Sequence, residues 1–207
     1  MKPRLIRIST VPMALRILLT GQPRYMREHG MDVWLLSADD KERQEVMELE
    51  GCEHIIVPMT RKITPWQDFR CLLLLRRLFK KIKPDIVHTH TPKAGLLGML
   101  AARSLGIPVR IHTVAGLPLM VEKGLKRKIL LLTERLTYWG ATQVWPNSPS
   151  MLAFIREQGL CPEQKLAMIN NGSTNGVDTT QFNFQRWLNR SDNPALHGKI
   201  KPLPPFK

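Results

Sequence analysis

Apolar and polar positions along the chain alternate between two rhythms. Short runs rich in branched and apolar residues occur at residues 5–9 (LIRIS), 33–37 (VWLLS), 54–57 (HIIV), 85–88 (DIVH), 109–113 (VRIHT), 143–145 (QVW) and 166–169 (LAMI). Longer segments of helical spacing lie between them. Seven such strands separated by helices make repeated βαβ units, hence a mostly parallel seven-stranded sheet covered on both faces. Gly30, Gly51, Gly106 and Gly159 stand where helix C-terminal caps are needed, and Pro84 and Pro108 stop helices just before strands. Right-handed crossovers then predict a doubly wound, Rossmann-like α/β layer.

Two helical segments carry much of the charge. Cys71, Leu74, Leu75, Leu78, Phe79 and Ile82 share one face, with Arg76, Arg77, Lys80, Lys81 and Lys83 on the other. The second segment has a stripe of Leu125, Ile129, Leu132, Leu136 and Trp139, opened by Lys126, Arg127 and Lys128. Both apolar faces are expected to pack on the sheet. The basic faces then meet water or, with Trp66 and Trp139 nearby, anionic lipid headgroups.

Composition narrows the class. The 207 residues are 43% hydrophobic and 23% charged, ordinary values for one full-sized globular domain. Thirty-one Lys and Arg against 17 Asp and Glu give a net charge of +14, which calls for an anionic partner: nucleic acid, a membrane surface or phosphorylated substrates. Cys52, Cys71 and Cys161 are odd in number and far apart, which excludes a disulfide framework and a zinc ribbon and suits a reducing cytosol. Charges interrupt the N-terminal apolar run, so it does not read as a signal peptide. The uncharged run at 94–102 ends at Arg103, well short of the ~18 residues that a bilayer crossing needs.

In a doubly wound sheet, ligands sit beyond the carboxyl ends of the strands, so chemistry is sought there. The densest polar cluster follows the fourth strand, where His88, His90, Lys93 and Gly95 stand in HTHTPKAG. Backbone N–H groups beside two imidazoles and a lysine suit an anionic or hydroxyl-rich ligand. His88 and His90 have no acidic or cysteine partner close in sequence, so no metal is expected; a buried, hydrogen-bonded histidine at the strand end is an equally open reading. On the fifth strand, alternation sends Ile111 and Thr113 one way and Arg110 and His112 the other. His112 suits a general base or a sugar-hydroxyl contact, and a packed core histidine fits as well. The chain has no G-x-G-x-x-G after the first strand, no Walker lysine and no G-x-S-x-G elbow. Nucleic acid is not expected as a partner, because the basic helices lack interleaved aromatics and a recognition motif.

The strings KPDIVHTHTPKAG (residues 83–95) and GIPVRIHTVAG (residues 106–116), then Asn147 and Ser148 before a helix, then NGVD at 175–178 with Phe182, resemble the N-terminal half of bacterial family-four glycosyltransferases of the GT-B fold. The likeness covers roughly residues 4–183 and points to the capsule and O-antigen branch. It implies metal-independent, retaining transfer of a sugar from a nucleotide-sugar donor to a polyprenyl-diphosphate-linked saccharide. The expected location is the cytoplasm, peripheral at the inner face of the cytoplasmic membrane. By resemblance His112 is the catalytic histidine. His88, His90, Lys93 and Gly95 line the acceptor loop, with Thr113, Gly116 and Ser148 also binding substrate. No cofactor is implied beyond the nucleotide-sugar co-substrate.

The first loop departs from the family by lacking glycine between Ser9 and Thr20. Residues 184–207 show no periodicity, contain four prolines and are expected to be an irregular basic tail, with the second GT-B domain absent. On this reading the domain spans residues 1–183, the chain is a truncated acceptor-binding half, and it transfers little sugar alone. The alternative is a non-catalytic saccharide- or membrane-binding module that works with a partner.

Overall fold

The structure, a computed structural model, describes residues 2–174 and 176. The expectations for residues 177–207, with Asn175, Val177 and Asp178 of the NGVD linker, lie outside the described residues. Within these, β1 (Arg4–Ile8), β2 (Asp32–Ser37), β3 (Glu53–Ile56), β4 (Ile86–Thr89), β5 (Val109–Val114) and β6 (Gln143–Pro146) form one parallel sheet in the order β3-β2-β1-β4-β5-β6. The helices between them are α1 (Pro12–Leu19), α2 (Gln22–Glu28), α3 (Glu42–Glu50), α4 (Pro65–Ile82), α5 (Pro92–Ser104) and α6 (Gly124–Gly140), and α7 (Pro149–Glu157) follows β6. This is the doubly wound layer that the alternation predicts.

Among the described residues the sheet has six strands rather than seven. Residues 166–169 contribute a single parallel bridge, Leu166 to Val144, before the chain turns away at Asn170 and Gly172, both at positive φ. The four expected helix-capping glycines all take positive φ. Two apolar cores flank the sheet. Leu5, Val33 and Leu35 pack with Leu15, Leu19 and Val46 of α1 and α3. Ile6, Ile8 and Val87 face the other way, toward Cys71, Leu75 and Phe79 of α4 and toward α5. The face expected for α4 is therefore the one it buries.

The α6 stripe is not buried. Leu125 is 74% exposed, and Ile129, Leu132, Leu136 and Trp139 all reach solvent. The side of α6 that packs inward carries Thr137, Tyr138 and Gly140 instead, with Leu130 and Leu131 partly covered. Close packing decides this. A Cβ at Gly140 would lie 2.9 Å from the Met99 Cβ, so the α5–α6 seam accepts only small groups there, and the bulky stripe turns outward.

Candidate functional site

Strand order reverses between β1 and β4, and their carboxyl ends open the crevice where such sheets bind ligands. Thr10 and Thr91 clamp the two exit loops: the Thr10 N–H donates to Thr91 Oγ1 at 2.9 Å, and the two hydroxyl oxygens are 2.7 Å apart. Beside this clamp, on the α1–α2 face, lies a cavity of about 110 Å³. Register puts Arg7 next to His88, and alternation puts Thr113 and Trp145 on the same face.

The cavity walls are Arg7, His88, Thr113 and Trp145 from four adjacent strands, closed by Gln22 and Asn147. His88 Nε2 is 2.7 Å from Thr113 Oγ1, and its ring lies 4.1 Å from the His90 ring at a tilt of 40° and edge-to-face with Trp145 at 5.2 Å between centroids. His90 Nε2 accepts the Arg7 Nε–H at 3.2 Å. The His90 proton therefore sits on Nδ1, a buried donor with no partner among the described residues. Burial first, then the Arg7 charge, holds His88 well below the usual imidazole range, and His90 is held low by burial and by His88. Both rings are neutral at pH 7.

A loop roofs this side. The Gln22 amide donates to the Thr174 carbonyl at 2.9 Å, Asn147 Nδ2 to Thr174 Oγ1 at 3.1 Å, and the Ser173 N–H to the Asn147 carbonyl at 2.8 Å. Gly172, at φ +85°, lies so close that a Cβ there would sit 2.3 Å from the Asn147 oxygen.

The other sequence-chosen residues lie elsewhere. His112 is on the opposite face and 2% exposed. Its Nδ1 is 2.8 Å from Thr89 Oγ1, its ring is 6.1 Å from the Tyr138 ring, and a Cβ on Gly95 would approach it to 2.5 Å. Burial lowers it to about 4. His112 and Gly95 thus form one packing unit between β5 and α5, apart from the cavity. Lys93 pairs with Asp68 at 2.7 Å and bonds Thr64 Oγ1 at 3.2 Å, tying the β3–α4 loop to α5. Gly116 is exposed in the loop after β5, and Ser148 caps α7 by accepting the Met151 N–H at 3.2 Å. Among the expected residues, the structure brings together His88, His90 and Thr113 only.

Sequence reasoning passed over Arg7, Gln22, Trp145 and Asn147. A signal for Arg7 was present: a charge inside an apolar central strand is costly and calls for a reason. A larger hollow of about 400 Å³ opens at the opposite edge, where Arg4, Asp32, Glu53 and Lys81 start strands or end a helix. Its charges are of both signs, and the buried histidines and Arg7 are at the carboxyl edge. Among the described residues no three of His, Cys, Asp and Glu gather as a metal site, and no helix is long and apolar enough to cross a membrane.

Residues 20–172 match the glycosyl transferase 4-like domain. The Staphylococcus aureus capsular polysaccharide biosynthesis glycosyltransferase CapM is 39% identical over 186 residues, 90% of this chain and 46% of CapM. An Escherichia coli UDP-Gal:alpha-D-GlcNAc-diphosphoundecaprenol alpha-1,3-galactosyltransferase is 48% identical over 58 residues, 28% of this chain and 15% of that enzyme. Among solved structures, a Rickettsia africae glycosyltransferase (TM-score 0.64, 18% identity) covers 88% of this chain with 45% of its own. Anabaena HepE in complex with UDP and glucose (TM-score 0.64, 12% identity) covers 86% with 46%. The chain thus spans about half the length of CapM and of these structures. A UDP-N-acetylglucosamine 2-epimerase is nearly as similar (TM-score 0.62), so the fold alone does not choose an activity. The sequence match does choose a family: the chain belongs to the glycosyl transferase 4-like family.

Proposed function

We propose that the described domain is the acceptor-side lobe of a glycosyltransferase of cell-surface polysaccharide synthesis. In this reading the enzyme moves a sugar from a nucleotide-sugar to a polyprenyl-diphosphate-linked saccharide at the cytoplasmic membrane face. The observation that carries it is the CapM likeness, sustained over 90% of the chain. The donor class is supported by HepE, solved with UDP and glucose, and the acceptor class by the name of the E. coli relative. The cavity suits such a ligand: the neutral His88 imidazole and the Thr113 hydroxyl recognise hydroxyls, and Trp145 offers an apolar wall. Holding the acceptor in one orientation is this lobe's contribution to rate, because orienting two reactants is worth ~7–11 kcal/mol. His112 and Gly95 act in this scheme by fixing α5 over β5, as positioning residues.

The membrane part of the proposal is supported by the exposed ridge on α6. Its apolar stripe is flanked by exposed Lys123, Lys126, Lys128 and Arg135, and Arg103 stacks on Trp139 at 3.8 Å. Ile63, Trp66 and Phe69 add a second exposed apolar group at the start of α4. Apolar insertion with a basic rim suits an anionic headgroup layer. The test is equilibrium binding of a short-chain polyprenyl-diphosphate saccharide in detergent. Saturable binding that weakens in His88→Ala and Trp145→Ala is expected; binding unchanged in both variants, or none at all, refutes the assignment.

A further inference from the structure

Arg7 sits at the centre of β1 and is 1% exposed, yet among the described residues it forms no ion pair. Its Nε–H goes to a neutral histidine, and its Nη1 lies 3.6 Å from the Met26 sulfur. Among the described residues Glu50 is the acid whose charge reaches it, and both Glu50 oxygens are occupied by the N–H groups of Gly21 and Arg24, at 2.8 and 3.1 Å. Burial accordingly lowers Arg7 to about 10. A guanidinium without a counter-charge inside an apolar strand costs stability, and Leu5, Ile6 and Ile8 show what the strand otherwise prefers. Such a cost is retained where a ligand supplies the missing charge. The guanidinium borders the cavity, whose remaining walls carry no charge and offer Gln22, His88, Thr113 and Asn147 beside apolar Trp145 and Ile169. At about 110 Å³ the space is several times the ~30 Å³ share of a water molecule, enough for a phosphoryl group.

We propose that this cavity is a phosphoryl site in which Arg7 supplies the counter-charge to a diphosphate ester. That chemistry is shared by a nucleoside-diphosphate sugar and a polyprenyl-diphosphate saccharide. The planar fork of the guanidinium presents paired N–H donors to phosphate oxygens, and a lysine does not reproduce that geometry. The inference rests on the proposed glycosyltransferase reading for the identity of its ligands, but not for the anion chemistry itself.

The test is calorimetric titration of the 207-residue protein with inorganic pyrophosphate, UDP and detergent-dispersed farnesyl diphosphate, for wild type, Arg7→Met and Arg7→Lys. Wild type should bind diphosphates, Arg7→Met roughly tenfold to a hundredfold more weakly, and Arg7→Lys in between. Arg7→Met should melt no lower than wild type without ligand, because it removes an unpaired buried charge. Stronger binding of UDP assigns the site to the donor, and stronger binding of farnesyl diphosphate assigns it to the acceptor. Equal binding by wild type and Arg7→Met, or no diphosphate binding by wild type, overturns the proposal. Guanidinium ¹⁵N resonances of wild type give a readout independent of whether the variants fold. The Arg7 signals should shift when pyrophosphate binds, and unshifted signals at saturation overturn the site. Lipid-linked saccharide binding that ignores Arg7 leaves the glycosyltransferase reading standing without this site. Arg7-dependent diphosphate binding to which an attached saccharide adds nothing does the reverse.

Discussion

His112 gives the sharpest single perturbation, because its burial carries a pH signature of its own. The ring is enclosed by Thr89, Gly95, Thr137 and Tyr138 and is held near a pKa of 4 against the ordinary 6.5. Between those values the unfolded chain binds a proton that the folded protein does not, so stability falls as the pH drops from 6.5 toward 4 and is unaffected above. At pH 5 this group alone costs about 2 kcal/mol relative to pH 7.5. His112→Asn removes the ring and leaves a void, with an expected loss of about 2–4 kcal/mol at pH 7.5. It also removes the titration, so the gap between variant and wild type should shrink by about 2 kcal/mol at pH 5. Urea unfolding at the two pH values measures both quantities. His54 steepens both curves alike and cancels in the difference, and His88 and His90 are held low first by burial, which the variant leaves in place. A gap that is the same at pH 7.5 and pH 5 refutes the buried, neutral assignment.

Other outcomes follow from the same geometry. Asp68→Asn leaves Lys93 half-satisfied in a pair whose side chains are only 13% and 19% exposed, and should cost about 2–3 kcal/mol and expose residues 60–64 to protease. Gly172→Ala forces a Cβ onto the Asn147 carbonyl at a left-handed φ, so it should loosen the 170–174 loop in hydrogen exchange and weaken ligand binding more than it lowers the melting temperature. Leu132→Glu on the α6 ridge should reduce flotation with phosphatidylglycerol vesicles without lowering the melting temperature; unchanged flotation would remove α6 from the membrane contact.

Much of the fold was legible because parallel βαβ units write themselves in the alternation of apolar runs and helical spacings. The side-chain directions on β5 were legible too, since the period of two along a strand is enough to separate His112 from Thr113. Which of the candidate residues meet in one place was not legible. Resemblance drew attention to His112, whose ring the structure packs under Gly95. The α6 stripe misled because a helical period reports a face without saying which way it points; Gly140 against Met99 settles that, and this contact joins residues far apart in sequence. Strand seven is reduced to one bridge, Leu166 to Val144, after which the chain turns at Asn170 and Gly172. Arg7 was in view as a charge in an apolar strand, but its meaning depends on His90, Glu50 and the cavity, which only the fold assembles.

The most direct test of the central claim is amide hydrogen exchange across residues 2–174 with and without a short-chain polyprenyl-diphosphate saccharide. Protection should concentrate after β1, β4, β5 and β6 and in the 169–174 loop, around Arg7, His88 and Asn147. Protection at the opposite edge, around Arg4, Asp32 and Glu53, or no protection at saturating ligand, would contradict the account.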